Sequence, residues 1–96
     1  MPSDPVPTLC LNMIVKNESR VIRRLLDSVY PILDYYCICD TGSSDDTVQV
    51  IENFFREKNI PGKVIREPFR DFEYNRSFSL KACDEFDCDY VLLMDA

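Results

Sequence analysis

The sequence has no histidine, no tryptophan and only two glycines in 96 residues. Without histidine there is no imidazole general base, no Ser-His or Cys-His nucleophile pair and none of the usual zinc-histidine sites. Chemistry is left to carboxylates, Lys, Arg, Tyr and Cys. Glycine only at positions 42 and 62 means that neither G-x-G-x-x-G nor G-x-x-x-x-G-K-[ST] can be written, which argues against nicotinamide dehydrogenases and P-loop NTPases. Positive charge is also scarce. Eleven Lys and Arg against 17 Asp and Glu leave a net charge of −6, a field that repels nucleic acid. No apolar run approaches the roughly 18 residues of a membrane-spanning helix, and the opening MPSDPVP lacks the basic region and apolar stretch of an export signal. The expectation is a cytoplasmic protein with no membrane segment and no nucleic-acid partner.

Apolar residues make up 46% and charged residues 29%, a globular composition, and 96 residues suit a single core. The cysteines are Cys10, Cys37, Cys39, Cys83 and Cys88, an odd number in a chain long enough to fold without staples, which favours reduced thiols. Cys37 and Cys39 share one face of any strand that holds them, and together with Cys10 they read as small buried hydrophobes. Neither Cys37-x-Cys39 nor the gap from Cys83 to Cys88 supplies a zinc knuckle.

Four short apolar runs alternate with amphipathic stretches. Leu9–Val15, Tyr35–Cys39, Lys63–Arg66 and Tyr90–Met94 read as strands, the third following the turn signal Pro61-Gly62. Val21, Ile22, Leu25, Leu26, Val29 and Ile32 keep helical spacing, with Asn17 or Ser19 to cap and Pro31 near the end. A second helix, with Ser43 or Ser44 as cap and Asp45 and Asp46 in its first turn, buries Val48, Ile51, Phe54 and Phe55. A third runs over Tyr74–Phe86, where Phe78, Ala82 and Phe86 recur every four residues. The order βαβαβαβ predicts an α/β, three-layer fold with a mainly parallel sheet covered on both faces. Pro-rich residues at the start make 1–8 a flexible arm before the domain at 9–96.

In such a sheet ligands bind beyond the carboxyl ends of the strands. Lys16, Asn17 and Glu18 follow the first run, Asp40 to Asp46 the second, Arg66 and Glu67 the third, and Asp95 the fourth. Ser43, Ser44, Asp45 and Thr47 are as well explained by helix capping as by function. Asp40 and Asp95 each end an apolar strand without opening a cap of their own, and are the stronger candidates. A phosphate ligand would be repelled by such an edge unless a divalent cation lay between, and hard oxygen donors suit Mg²⁺ or Mn²⁺.

The strings LCLNMIVKNES, CICDTGSSDDT, YNRSFSLKAC and YVLLMDA, in this order, resemble the N-terminal half of family 2 glycosyltransferases of the GT-A fold. The resemblance spans about residues 9–96 and implies a Rossmann-like, nucleotide-sugar-binding half-domain. By that resemblance Val15, Asn17, Glu18 and Asp40 cradle the base and ribose, and Arg76 contacts the nucleotide from the third helix. Asp95 is then the first acid of a metal motif that holds Mn²⁺ or Mg²⁺ against the diphosphate. The family's second metal acid, its acceptor-binding half and its catalytic base fall after position 96, so no catalytic residue is expected within this segment, nor turnover from it alone. Implied partners are a nucleotide-sugar donor and a glycan, protein or lipid acceptor. Thr41 departs from the Asp that many relatives place there.

Structural roles compete with these. Lys16, Arg66 and Arg70 are more simply solvated cations, Phe78 core packing, and Asn12 a satisfied polar group inside the sheet. A non-catalytic α/β binding or interaction module is the alternative to the enzyme. A receiver-like phosphoacceptor domain fits poorly, because the third strand ends in Arg66 rather than Asp.

Overall fold

The computed structural model describes residues 7–86 and 88–95, the last by its backbone alone. Four strands, β1 (Leu9–Val15), β2 (Tyr35–Asp40), β3 (Gly62–Arg66) and β4 (Tyr90–Asp95), form one sheet in the order β3-β2-β1-β4. Every pairing is parallel, so each connection crosses over through a helix: α1 (Ile22–Val29), α2 (Thr47–Glu57) and α3 (Phe72–Cys83). The predicted α/β class and parallel sheet are what is found.

The main core lies between the sheet and α1 with α2. Leu11, Met13 and Val15 of β1 meet Ile22 and Leu26 of α1, and Ile38 of β2 packs with Ile51, Phe54 and Phe55 of α2. The Tyr36 ring stacks on Phe55, with centroids 4.0 Å apart. Gly62 opens β3 against that tyrosine, and a Cβ there would fall 2.1 Å from the Tyr36 carbonyl oxygen.

On the opposite face α3 covers β1 and β2. Its buried positions are Asn75, Ser79 and Cys83, not the Phe78, Ala82 and Phe86 stripe that the spacing suggests. The sheet beneath presents Cys10, Asn12 and Cys37, so small and polar groups face small and polar groups. Phe86 lies past the helix end and stacks on Tyr35 at 5.2 Å, while Phe78 is half-buried on the flank of α3 rather than in the core.

Coverage of both faces fails at the β4 edge. Register places Val91 and Leu93 on the face of Cys10 and Asn12, yet both are exposed because α3 sits over β1 and β2. Residues 1–6 of the expected arm lie outside the described residues. At its end, the Thr8 backbone and hydroxyl both donate to Asp89, and the Asp89 amide donates to the Thr8 hydroxyl.

Helix boundaries differ from expectation for local reasons. After Val29 the chain tightens into a 3₁₀ turn, Tyr30–Ile32, because Pro31 has no N–H to continue the α pattern. Neither Asn17 nor Ser19 caps α1, which begins after Val21 with no side-chain cap. Neither Ser43 nor Ser44 caps α2. Asp45 and Asp46 precede that helix instead of filling its first turn, and Asp45 accepts the Thr47 amide. The cap of α3 is Asp71, whose carboxylate accepts the Tyr74 amide at 2.7 Å.

Candidate functional site

The carboxyl ends of the strands form one rim. Asp40 pairs in register with Val15, and Asp95 with Ile14, so the two acids flank β1 on the same edge. Two strand spacings separate their backbones, about 10 Å.

Asp40 is 3% exposed, and its carboxylate is turned into its own loop. Oδ2 accepts the amides of Gly42 and Ser43 at 3.2 and 3.0 Å, and Oδ1 accepts the Ser43 hydroxyl. Gly42 has a φ of 124°, which an L side chain rarely adopts, so glycine lets the chain turn back over the acid. The Asp40 carbonyl accepts the Glu67 amide, tying the β3 end to the same point.

The loop after β1 is stapled to the loop after β2. Asn17 takes a left-handed φ of 52°, which asparagine tolerates better than most residues. Its Oδ1 accepts the amides of Ser44 and Asp45, and its own amide donates to Ser43 Oγ at 2.8 Å. The Glu18 amide donates to Thr47 Oγ1 at 2.9 Å, and Thr47 is fully buried. Thr47 donates its hydroxyl to Asp45, and that bond above all, with the Thr47 and Ser19 amides, holds the Asp45 carboxyl below the usual carboxylate range. Val15 keeps its side chain in the core and gives its carbonyl to the Thr41 amide and hydroxyl. Thr41 thus closes the first loop onto the second.

Two open hollows lie along this rim. One of about 190 Å³ is lined by Asp40, Thr41, Gly42, Ser43, Arg66, Glu67 and Pro68. The other, of about 300 Å³, is lined by Ser43, Asp45, Asp46, Val48, Gln49 and Arg66. Arg66, exposed and in register with Asp40, brings a cation to both. Cys39, one residue before Asp40, is no nucleophile: burial, with Glu67 and Asp40 adding, pushes its thiol up to about 11. A larger hollow of about 490 Å³ lies on the flank of α3, lined by Tyr74, Ser77, Phe78, Leu80, Lys81 and Asp84.

The first turn of α3 reaches the same end of the sheet. Arg76 is half-buried, with its guanidinium 5.1 Å from the centre of the Phe72 ring. Its neighbour Asn75 is fully buried and shapes the loop after β3: Oδ1 accepts the Arg70 amide at 2.9 Å and Nδ2 donates to the Pro68 carbonyl. Asn75 has no role in the sequence reading, and Thr47 is as well explained there by capping as by function. In both cases the signal available was a polar residue at a helix start, and the partner lies on another element. Among the described residues no three His, Cys, Asp or Glu side chains gather to hold an ion by themselves. The donor chemistry still fits Mn²⁺ or Mg²⁺, since such ions need only one or two protein carboxylates when phosphate oxygens complete the shell.

A parallel α/β sheet whose first two loops are interlocked at the carboxyl rim defines a Rossmann-like domain with its ligand edge at the strand tips. The model of the family described as glycosyl transferase family 2 matches residues 10–96, and this chain belongs to that family. An uncharacterized glycosyltransferase of Rickettsia conorii is 33% identical over 84 residues, covering 88% of this chain and 27% of that protein. The SPbeta prophage-derived glycosyltransferase SunS of Bacillus subtilis is 30% identical over 90 residues, covering 94% and 20%. The chain therefore spans about a quarter of the length of the curated relatives it matches. The fold is shared with glucosyl-3-phosphoglycerate synthase from Mycobacterium tuberculosis. Its complex with phosphoglyceric acid superposes with a TM-score of 0.62 at 22% identity, over 93% of this chain and 33% of that one. A second structure of that synthase, in complex with Mn²⁺, uridine diphosphate and glucosyl-3-phosphoglycerate, gives a TM-score of 0.61. Among the described residues no helix is long and apolar enough to cross a membrane.

Proposed function

We propose that residues 9–96 are the donor-binding half of a glycosyltransferase that moves a sugar from a nucleotide-sugar to an acceptor hydroxyl with inversion. The observation that carries this reading is the rim itself: Asp40 and Asp95 flank β1 at one sheet edge, beside loops fixed to each other by Asn17, Glu18 and Thr47. A preformed rim spends little binding energy on ordering loops when a nucleotide arrives.

The roles follow from where the groups sit. Val15 and Asn17 act by placing the first loop, because their polar groups are already committed to the second. Glu18 belongs to the same wall of the cradle. Asp40 presents the remaining acceptor capacity of Oδ1 to the base. Arg76, at the start of α3, approaches the nucleotide from the side opposite that wall. Asp95 would hold a divalent cation, Mn²⁺ or Mg²⁺, which when bound supplies positive charge for the diphosphate leaving group. The synthase complex with Mn²⁺ and uridine diphosphate supports this choice of ligands. The acceptor, whether glycan, protein or lipid, falls to the remaining length seen in the relatives, and the segment alone is expected to bind without turnover. A cytoplasmic setting belongs to the same proposal and rests on the unpaired cysteine count.

Calorimetric titration of the full-length protein with a panel of nucleoside diphosphates, with and without Mn²⁺, tests the reading. Metal-dependent binding is expected, and a folded protein that binds none of them refutes it. Asp95→Ala should abolish the metal-dependent part and leave the fold intact. Asp40→Ala should weaken discrimination among bases more than metal dependence; equal loss of both with either change would show the roles wrongly assigned. Metal-dependent binding by a full-length protein that transfers no sugar would favour the binding module over the enzyme.

A further inference from the structure

At the end of the sheet away from the rim, four cysteines draw together from three parts of the chain. Cys10 on β1, Cys37 on β2 and Cys83 at the last position of α3 are buried in one cluster, with half-buried Cys88 packed against it. None of the four lines the hollows at the rim. The Cys83 sulfur accepts the Asn12 amide nitrogen at 3.2 Å and lies 3.9 Å from the Cys10 sulfur, whose thiol also reaches the Leu11 carbonyl at 3.7 Å. The Asn12 amide is held so that Nδ2 reaches Cys83 and Ser79, while its Oδ1 is buried with no hydrogen-bond partner. Hydrogen bonds from Cys10, then Cys37, with Asn12 adding, pull the Cys83 thiol well below its ordinary value, and the same bond pushes Cys10 up.

We propose that Cys10 and Cys83 form a peroxide-responsive thiol pair that closes into a disulfide between β1 and the end of α3. Cys83 is the attacking sulfur because the donors stabilise its thiolate, and Cys10 is the resolving thiol because its sulfur lies within one side-chain movement. The Cys83 sulfur attacks one oxygen of hydrogen peroxide and the O–O bond breaks. Hydroxide leaves and takes up a proton to become water, and Cys83 is left as the sulfenic acid. The Cys10 sulfur then attacks Cys83 and the S–O bond breaks. A second water departs carrying the Cys10 proton. In sum two thiols lose two electrons and two protons, and the peroxide becomes two waters. A small dithiol reverses the change by exchange.

Cys83 is 2% exposed at the terminal residue of its helix, so the reaction requires a local opening of the hydrogen-bonded turn that follows it, wide enough for a molecule as small as peroxide. The consequence is mechanical. The bond would fix the C-terminal end of α3 to the sheet, while Asn75 and Arg76 lie eight and seven residues towards the rim, about 10–12 Å along the helix axis.

The test is to expose the full chain, first reduced and then freed of reductant, to hydrogen peroxide and map its peptides without reduction. The five free thiols should fall by two, with a mass loss of about 2 Da and one linked pair, Cys10–Cys83, which dithiothreitol reverses. Cys88→Ser should leave that linkage in place and Cys83→Ser should remove it; mapping of the unaltered chain decides the matter even if a variant fails to fold. Linkage of Cys83 to Cys88 or Cys37, over-oxidation at Cys88 with Cys10 and Cys83 still titrating, or reaction only after denaturation would each overturn the proposal.

Discussion

On one face β1 presents Leu11, Met13 and Val15 to α1 and α2; on the other the same strand presents Cys10, Asn12 and Ile14 towards α3. The first face is a conventional core, closed by Phe54 and Phe55 set edge to face at 5.4 Å. The second is held by thiols and amides: Asn12 reaches the Cys37 and Ser79 carbonyls, and Asn75 and Ser79 are as buried as any leucine. Equal burial is therefore reached by two different chemistries. Apolar area stabilises the first face without regard to direction, whereas the second depends on donors meeting acceptors.

That contrast can be broken most sharply at Phe54. Phe54→Ala should lower unfolding free energy by about 3–5 kcal/mol in a denaturant titration, because the ring is fully buried between two helices and the sheet. Asn12→Ala, at equal burial, should cost less, about 1–3 kcal/mol, and should act by removing the amide that bridges the Cys37 and Ser79 carbonyls and the Cys83 sulfur. Equal losses would mean that the two faces do not differ in kind.

A smaller effect should come from Asp45 at the rim. Its carboxyl is held low by Thr47, so the folded chain binds fewer protons than the unfolded one through the carboxylate range. The stability it contributes is present above that range and lost as pH falls through the folded value, so the gap between the native chain and Asp45→Asn should close on acidification. The smallest effect is expected from Glu57→Gln. Its bridge to Arg23 joins two half-exposed side chains at 3.1 Å, and the denaturation midpoint should not move measurably.

The fold was legible because its strands are short apolar runs and α1 and α2 keep a clear apolar stripe. α3 was misread by a shift of frame. The four-residue recurrence of Phe78, Ala82 and Phe86 suggested the buried face, but the sheet beneath offers sulfur and amide, so Asn75, Ser79 and Cys83 turn inward. At the candidate site the sequence supplied the positions of Asp40 and Asp95 at strand ends. It could not supply the engagement of Asp40 by Gly42 and Ser43, nor the use of Asn17 as a staple rather than a helix cap.

What the residues alone decided were the properties set by neighbours along the chain: alternation within a strand, the stop imposed by Pro31, and the return of polar residues after each apolar run. What only the folded arrangement decided were meetings between distant segments. Ser44 reaches Asn17, and Cys83 reaches Cys10, because β1 lies between β2 and β4 with α3 across it. Strand order and register place those partners, and both are fixed by the packing of the whole sheet rather than by any local stretch of sequence.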